Sequence, residues 1–382
     1  MLKLLYFTIE ELCDMSSGVC KKCISQIEVF RNAGFHVDVV YAQKGMLCIE
    51  KNHIKKQYGR REKNIFRGLE NKEFLKEMRN SNYNGIFIRY PGTDFLFERL
   101  IKFWKRSGAK IIIEIPTYPY DAELQQGFIR RVRLLNDVIF RNGLKKYVDY
   151  IVTYSMDSKI YNIPTIKTIN GINTDQFLTR TINNNKTEIH MIAVASMEVW
   201  HGYDRILYGM SSYYKKNHVG NVYFHLVGEG PEIVKYKNIV SEERLEDYVF
   251  FYGNKSGEEL NVIYNKCDLA VSSLAAHKIN IHHISALKTR EYALKGLPII
   301  TAPEIDIFQS KEYSFILKIE ENNSPVDIKK VCIFYDSLYI HSKKSKKEIA
   351  EEIRSIAIKK CDIVNTMTPI IDKYRELFME GD

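Results

Sequence analysis

The stretch from Cys267 to Thr301, CDLAVSSLAAHKINIHHISALKTREYALKGLPIIT, decides the fold of this chain. Leu269, Ala270 and Val271 form a short apolar run that gives way to a small, polar, His-rich loop. A helical stretch follows, closed by Gly296 and Pro298, and a second apolar run begins at Ile299. Strand, loop, helix and strand make the unit from which parallel sheets are built. Ser285 is placed to cap the helix. Ile284, Leu287, Glu291 and Leu294 recur at spacings of three and four, which puts Glu291 on the stripe expected to face the core. An unpaired carboxylate there costs on the order of several kcal/mol. Two readings follow. Glu291 forms an internal salt bridge with Lys288 or Arg290, or it accepts from the hydroxyls of a ligand, with a cation beside it for phosphate.

The run LKTREYALKGLPIIT (287–301) resembles the donor-nucleotide segment of family 4 glycosyltransferases. That resemblance implies the GT-B fold and a Glu, here Glu291, that holds the ribose hydroxyls of a nucleotide sugar. The family's second Glu, eight positions earlier, is His283 in this chain, so the catalytic position beside the sugar ring falls to His283. Ser285, Ala286, Leu287, Lys288, Arg290 and Lys278 are the implied donor-binding neighbours. The loop MEVWHGYDR (197–205) is similar to one that carries an Arg and a Lys on the donor's diphosphate in many members. Aligned on Gly202, those positions are Ser196 and His201. A neutral imidazole is a poorer phosphate ligand than a lysine, which leaves Lys278, Lys288 and Arg290 as replacements. Gly228-Glu229-Gly230-Pro231 resembles the family's turn at the end of a strand by the donor site, and TIKTINGIN (165–173) its turn before the second domain.

With 382 residues the chain is long enough for two hydrophobic cores. Hydrophobic residues make up 45% and charged residues 27%, a globular composition. The apolar run from Met1 to Phe7 is too short for a signal peptide, and no run of about 18 apolar residues is present to span a membrane. Seven cysteines without framework spacing point to a reducing compartment. Cys20 and Cys23 form a CxxC with no second pair at zinc-site spacing, and are read as helix residues. The net charge of +9 is uneven: residues 1–175 carry 29 Lys+Arg against 19 Asp+Glu, and the rest 27 against 28. Two electrostatically different halves imply two domains, the basic one meeting an anionic partner. No zinc-finger, RRM or helix-turn-helix pattern supports nucleic acid. An anionic membrane surface or a diphosphate-linked acceptor remains.

In the first half, Leu2–Phe7, Val37–Tyr41, Gly85–Arg89, Lys110–Ile115 and Tyr150–Tyr154 read as strands. Ser16, Ser17 and Gly18 form a small-residue loop before a helix from about Val19 to Asn32, where free backbone N–H groups meet a phosphate or sugar. In the resembled family this loop faces the inter-domain cleft, so the resemblance implies Gly18 as a donor-side residue. Residues 51–82 read as basic, mixed and helical in part. Ligands gather at the carboxyl ends of parallel strands, which places Glu114, Thr117, Tyr118 and Asp121 in view. The family's His near the transferring sugar is absent from this segment, so the polar catalytic role falls to Glu114, Thr117 or Asp121. A basic amphipathic helix, Phe128–Tyr147, either lies on an anionic bilayer or has one face in the core.

The expected architecture is therefore α/β: GT-B, with two Rossmann-like doubly wound domains facing across a cleft. Residues 1–174 form the acceptor domain, 175–188 a linker and 189–360 the donor domain; 361–382 is a terminal helix crossing back to the first. The resemblance implies sugar transfer with retention, from a nucleotide diphosphate sugar (UDP favoured over GDP) to a hydroxyl of a glycan or lipid-linked glycan in bacterial surface polysaccharide biosynthesis. The expected location is cytoplasmic, peripheral on the inner membrane face. No cofactor is expected beyond the nucleotide-sugar co-substrate. No Asp-x-Asp stands in a strand-end loop, so no divalent metal is expected either. A nucleotide-sugar epimerase and a catalytically degenerate binding protein are the alternatives.

Overall fold

A computed structural model describes residues 2–13, 17–58, 69, 71–121, 128–182, 188–216, 222–309 and 312–379, with backbone only at 128–130. Ser16, the asparagines 183–185, residues 59–68 and the Arg130 side chain lie outside the described set. The chain divides into two compact units, Met1–Ile172 with Ile363–Asp382, and Asn173–Asp362.

The first unit contains β1 (Lys3–Glu11), β2 (His36–Gln43), β3 (Met46–Lys51), β4 (Ile54–Tyr58), β5 (Gly85–Arg89), β6 (Lys110–Ile115), β7 (Tyr150–Thr153), β8 (Lys159–Ile160) and β9 (Ile163–Lys167). They form one sheet in the order β4-β3-β2-β1-β5-β6-β7-β9-β8. The six strands from β2 to β9 across its middle are parallel, and β3, β4 and β8 join at the margins by antiparallel pairing. Leu4, Leu5, Tyr6 and Phe7 are all buried, as a strand covered on both faces requires. The helix Ile363–Met379 belongs to this unit: Tyr374 packs edge-on against Phe30 and Phe35. A Cβ on Gly85 would come within 2.9 Å of both Leu4 and Tyr374, so only glycine lets that helix close on the sheet.

The reading of 51–82 as partly helical is corrected over its first part. β3 and β4 form a hairpin whose two loop residues, Asn52 and His53, have φ of 47° and 64°. Positive φ at both loop positions makes a type I′ turn, and Asn tolerates it. The alternation there is masked by exposed Lys55, Lys56 and Gln57, charged and polar residues that suit an edge strand. The helical part of the reading holds at Lys72–Arg79 among the described residues.

The second unit contains β10 (Ile189–Val194), β11 (Val222–Val227), β12 (Val249–Phe251), β13 (Leu269–Val271), β14 (His283–Ile284), β15 (Ile299–Thr301), β16 (Glu304–Ile305) and β17 (Ile316–Lys318). Its main sheet is parallel throughout, in the order β12-β11-β10-β13-β15-β17, and β14 pairs with β16 beside it. The chain runs outward from β10 through β11 to β12, then returns to the other side of β10 at β13. That reversal is the topological switch point, where loops at adjacent strand ends diverge and leave a crevice.

Candidate functional site

Loops from both sides of the switch point meet after β10 and β11. A Cβ on Gly228 (φ 121°) would lie 1.9 Å from the Ala195 carbonyl oxygen, and one on Gly230 (φ 155°) 2.4 Å from that of Ser196. Glycine at these two positions lets backbone stack on backbone, and it leaves Ser196 and Glu229 exposed on the loop surface. The 199–203 segment is pinned to the loop after β13: Leu274 N–H donates to His201 O and Ala275 N–H to Trp200 O, at 2.9 and 3.2 Å. Gly202, with φ 63°, passes so close to Ala275 that a Cβ would approach its methyl to 2.6 Å.

His201 is buried, and its Nδ1 accepts from the Glu198 backbone N–H at 3.0 Å. That hydrogen bond assigns the remaining ring proton to Nε2. Burial, with Lys288 nearby, holds the imidazole well below its usual pKa, so it is a neutral N–H donor. Its ring stacks on Tyr203, 5.5 Å between centroids. The Tyr203 hydroxyl in turn accepts from Lys288 Nζ at 3.3 Å.

Lys288 stands in the first turn of the helix Leu287–Leu294. Among the described residues no carboxylate pairs with it, and burial alone lowers its pKa to about 7. The helix N-cap is Ala286, which offers no side-chain acceptor; Thr289 N–H donates to Ala286 O at 3.1 Å, which leaves the Leu287 and Lys288 amides of the first turn open to an anion. Tyr292 ties this helix to the end of β10, its hydroxyl accepting from Val194 N–H at 2.8 Å. Lysine, imidazole N–H and helix amides thus converge as donors for a multiply charged oxyanion.

Three expectations for this helix are corrected. Ser285 does not cap it; its hydroxyl donates to Asp306 at 2.6 Å and accepts from Arg290 at 2.9 Å. Arg290 was expected to be available for phosphate, but it is fully buried and ion-paired with Asp306. A guanidinium with no exposed surface serves the interior. Glu291 does not share the core stripe either. The buried face is Thr289, Arg290, Tyr292, Ala293 and Leu294, whereas Leu287, Lys288 and Glu291 are half-buried, and Ile284 belongs to β14. Hydrophobic periodicity misplaced the stripe because two of the five buried residues are polar. Glu291 lies near Tyr264 and Lys295, and its charge contributes, after burial, to the raised pKa of that phenol.

Lys278 is exposed on the short helix Ala276–Ile279. His283, on β14, is exposed, 3.3 Å from Glu304 and accepting from Gln309. Tyr203 and Tyr292 went unnoticed in the sequence; the spacing His201-Gly-Tyr203 was their only local signal. Ser272 was missed as well. It follows β13 at the switch point and buries an Oγ without a partner among the described residues.

In the first unit, Gly18 opens the helix Gly18–Asn32, capped by Ser17, and Cys20 and Cys23 are buried on that helix outside any disulfide. Glu114 ends β6 with 0% exposure. Its Oε1 accepts from Lys22 at 2.9 Å, from Gln26 at 2.8 Å and from Tyr154; its Oε2 accepts from Arg89 at 2.9 Å. Burial pushes this carboxyl up, but Lys22 and Arg89 outweigh it and hold the pKa at about 2. The expected catalytic role of Glu114 is therefore corrected to that of a buried hub. Asp121 is held by Arg141 through two hydrogen bonds of 2.6 and 3.1 Å, and Thr117 is half-buried in the loop between them.

Residues 175–284 match the family model described as Glycosyl transferases group 1. No curated protein matches the chain. Among solved structures, the sucrose-phosphate synthase of Thermosynechococcus elongatus is similar over 100% of both chains, at TM-score 0.72 and 14% identity. Anabaena HepE, in complex with UDP and glucose, is similar over 98% of this chain and 99% of that one, at TM-score 0.61 and 13% identity. The catalytic domain of starch synthase IV from Arabidopsis thaliana, bound to ADP and acarbose, is similar over 99% of both, at TM-score 0.64 and 11% identity. At such identities the likeness carries the fold, which is GT-B.

Proposed function

We propose that this chain is a glycosyltransferase, with Asn173–Asp362 holding a nucleotide diphosphate sugar. The observation that carries the reading is Lys288: a half-buried lysine at an open helix N-terminus, beside a neutral imidazole N–H, with no carboxylate among the described residues to answer it. A diphosphate supplies that missing charge. When the bond from sugar to phosphate breaks, negative charge builds on the leaving diphosphate, and Lys288 with the first-turn amides stabilises it. No divalent metal is needed in this scheme. Glu291, one turn further along, accepts from the ribose hydroxyls. The match to group 1 glycosyl transferases over 175–284 and the nucleotide complexes of similar folds support the donor class. We extend the reading to UDP over GDP, to retention, and to a glycan or lipid-linked glycan hydroxyl as acceptor in surface polysaccharide biosynthesis.

Calorimetric titration of UDP, without added metal, into wild type, Glu291→Gln and Glu291→Ala tests this. Charge-assisted hydrogen bonds contribute roughly 1.5–3 kcal/mol, so Ala is expected to weaken UDP about tenfold to a hundredfold and Gln less. Melting temperatures should change little, since Glu291 is half-buried beside Lys295. Unchanged affinity together with a large fall in melting temperature would make Glu291 a structural residue and remove it from the donor site.

A further inference from the structure

The helix Phe128–Phe140 is inside out. From Arg131 onward the one fully buried side chain is Asp137, at 1% exposure. Its carboxylate accepts from Tyr90, from Tyr120 and from the Thr93 backbone N–H at 2.7 Å, with Arg141 3.5 Å away. The apolar side chains point to solvent instead: Leu135 is 64% exposed and Ile139 68%, and Val132 and Val138 are exposed too. These four recur at spacings of three and four, so they form one row away from Asp137. Phe95 on the neighbouring helix is 61% exposed as well and meets Phe140 edge-on at the end of this helix. Leaving four large apolar residues of one row in water is costly. The helix is held by a polar anchor, which frees its apolar side for something else.

The charge around this row is mainly positive, with Glu98 beside Gly143 and Asp121 on Arg141 as the carboxylates that neighbouring elements bring. Residues 128–146 contain six Lys and Arg, against Asp137 alone, which is buried and engaged. Arg131, Arg133, Lys145 and Lys146 are exposed, and so is Arg99 on the helix Phe95–Arg106. An apolar row rimmed by cations is complementary to an anionic bilayer, with hydrocarbon below for Leu135 and Ile139 and phosphate above for the basic rim. We propose that Phe128–Phe140, with the Arg141–Lys146 turn, is an in-plane membrane-docking surface for anionic lipid. Its test needs no nucleotide, so it stands or falls separately from the donor site.

Flotation of the full chain with phosphatidylcholine vesicles, with and without phosphatidylglycerol, at low and high salt, decides the matter. Wild type is expected on the anionic vesicles and to leave them as salt rises. Leu135→Ser with Ile139→Ser should lower partitioning about tenfold or more at an unchanged melting temperature, because both residues are exposed. Lys145→Glu with Lys146→Glu should lower it by a similar factor. Equal binding to neutral and anionic vesicles overturns the proposal, as does wild-type partitioning by the Leu135 and Ile139 double variant. So does a wild-type dimer in solution that the double variant converts to monomer, since a second copy would then cover the row.

Discussion

Two half-buried or buried lysines, one per unit, stand beside the ends of parallel strands, and they differ in what answers their charge. Lys22 is enclosed with Glu114 at 2.9 Å, and Tyr154 and Gln26 complete the carboxylate's shell. Burial lowers its pKa to about 8, against the pull of Glu114. Among the described residues Lys288 has the Tyr203 hydroxyl and the face of that ring, and burial takes it to about 7. A lysine closed in with its carboxylate is neutralised by the fold. One left with a phenol awaits an anion from outside. The contrast separates a structural cluster from the proposed binding site without reference to which residue types are present.

The largest effect expected from breaking the comparison is on the first unit. Glu114→Ala leaves Lys22 and Arg89 buried without their counter-charge, a loss of about 3–5 kcal/mol in urea unfolding. UDP affinity in the folded fraction should not change. A mild Glu114→Ala phenotype would mean that the cluster is wetter than its burial indicates.

Lys288→Met should do the reverse. The UDP dissociation constant is expected to rise about tenfold to a hundredfold, while the melting temperature rises. The folded pKa of Lys288 lies below its ordinary 10.5, so its charged form is disfavoured by folding. The stability cost is absent above about pH 10.5, grows as pH falls toward 7, and levels off below that. The gain in melting temperature should therefore be greatest at or below pH 7 and fade in alkali. A drop in melting temperature at pH 7 would show Lys288 to be compensated after all.

The smallest effect sharpens the contrast. A bound diphosphate raises the pKa of Lys288, so binding above about pH 7 should take up a proton. UDP affinity should be level below pH 7 and fall by less than tenfold per unit above it. Calorimetry in buffers of different ionisation enthalpy reads the proton directly. No uptake at pH 8 would place the diphosphate away from Lys288.

Much of the frame was legible locally. β5, β6 and β11 follow from runs such as GIFIR, KIIIEI and VYFHLV, and the Gly-containing strand ends from their turn chemistry. The β3–β4 hairpin was not, because its turn residues are Asn-His and its edge strand is lysine-rich. The inverted helix Phe128–Phe140 was not legible either, since periodicity finds an apolar face without saying what covers it.

The sequence by itself determined the alternation of strands and helices, and with it that functional side chains stand at strand ends and helix starts. Only the tertiary structure decided which of them are occupied by the protein itself. Glu114 meets a lysine ninety-two positions away and Arg290 an aspartate sixteen away, whereas Lys288 meets no carboxylate among the described residues. Local patterns report backbone preference over a few residues. The compensation of a buried charge depends on what the fold brings within about 3 Å of it, and no window of sequence contains that.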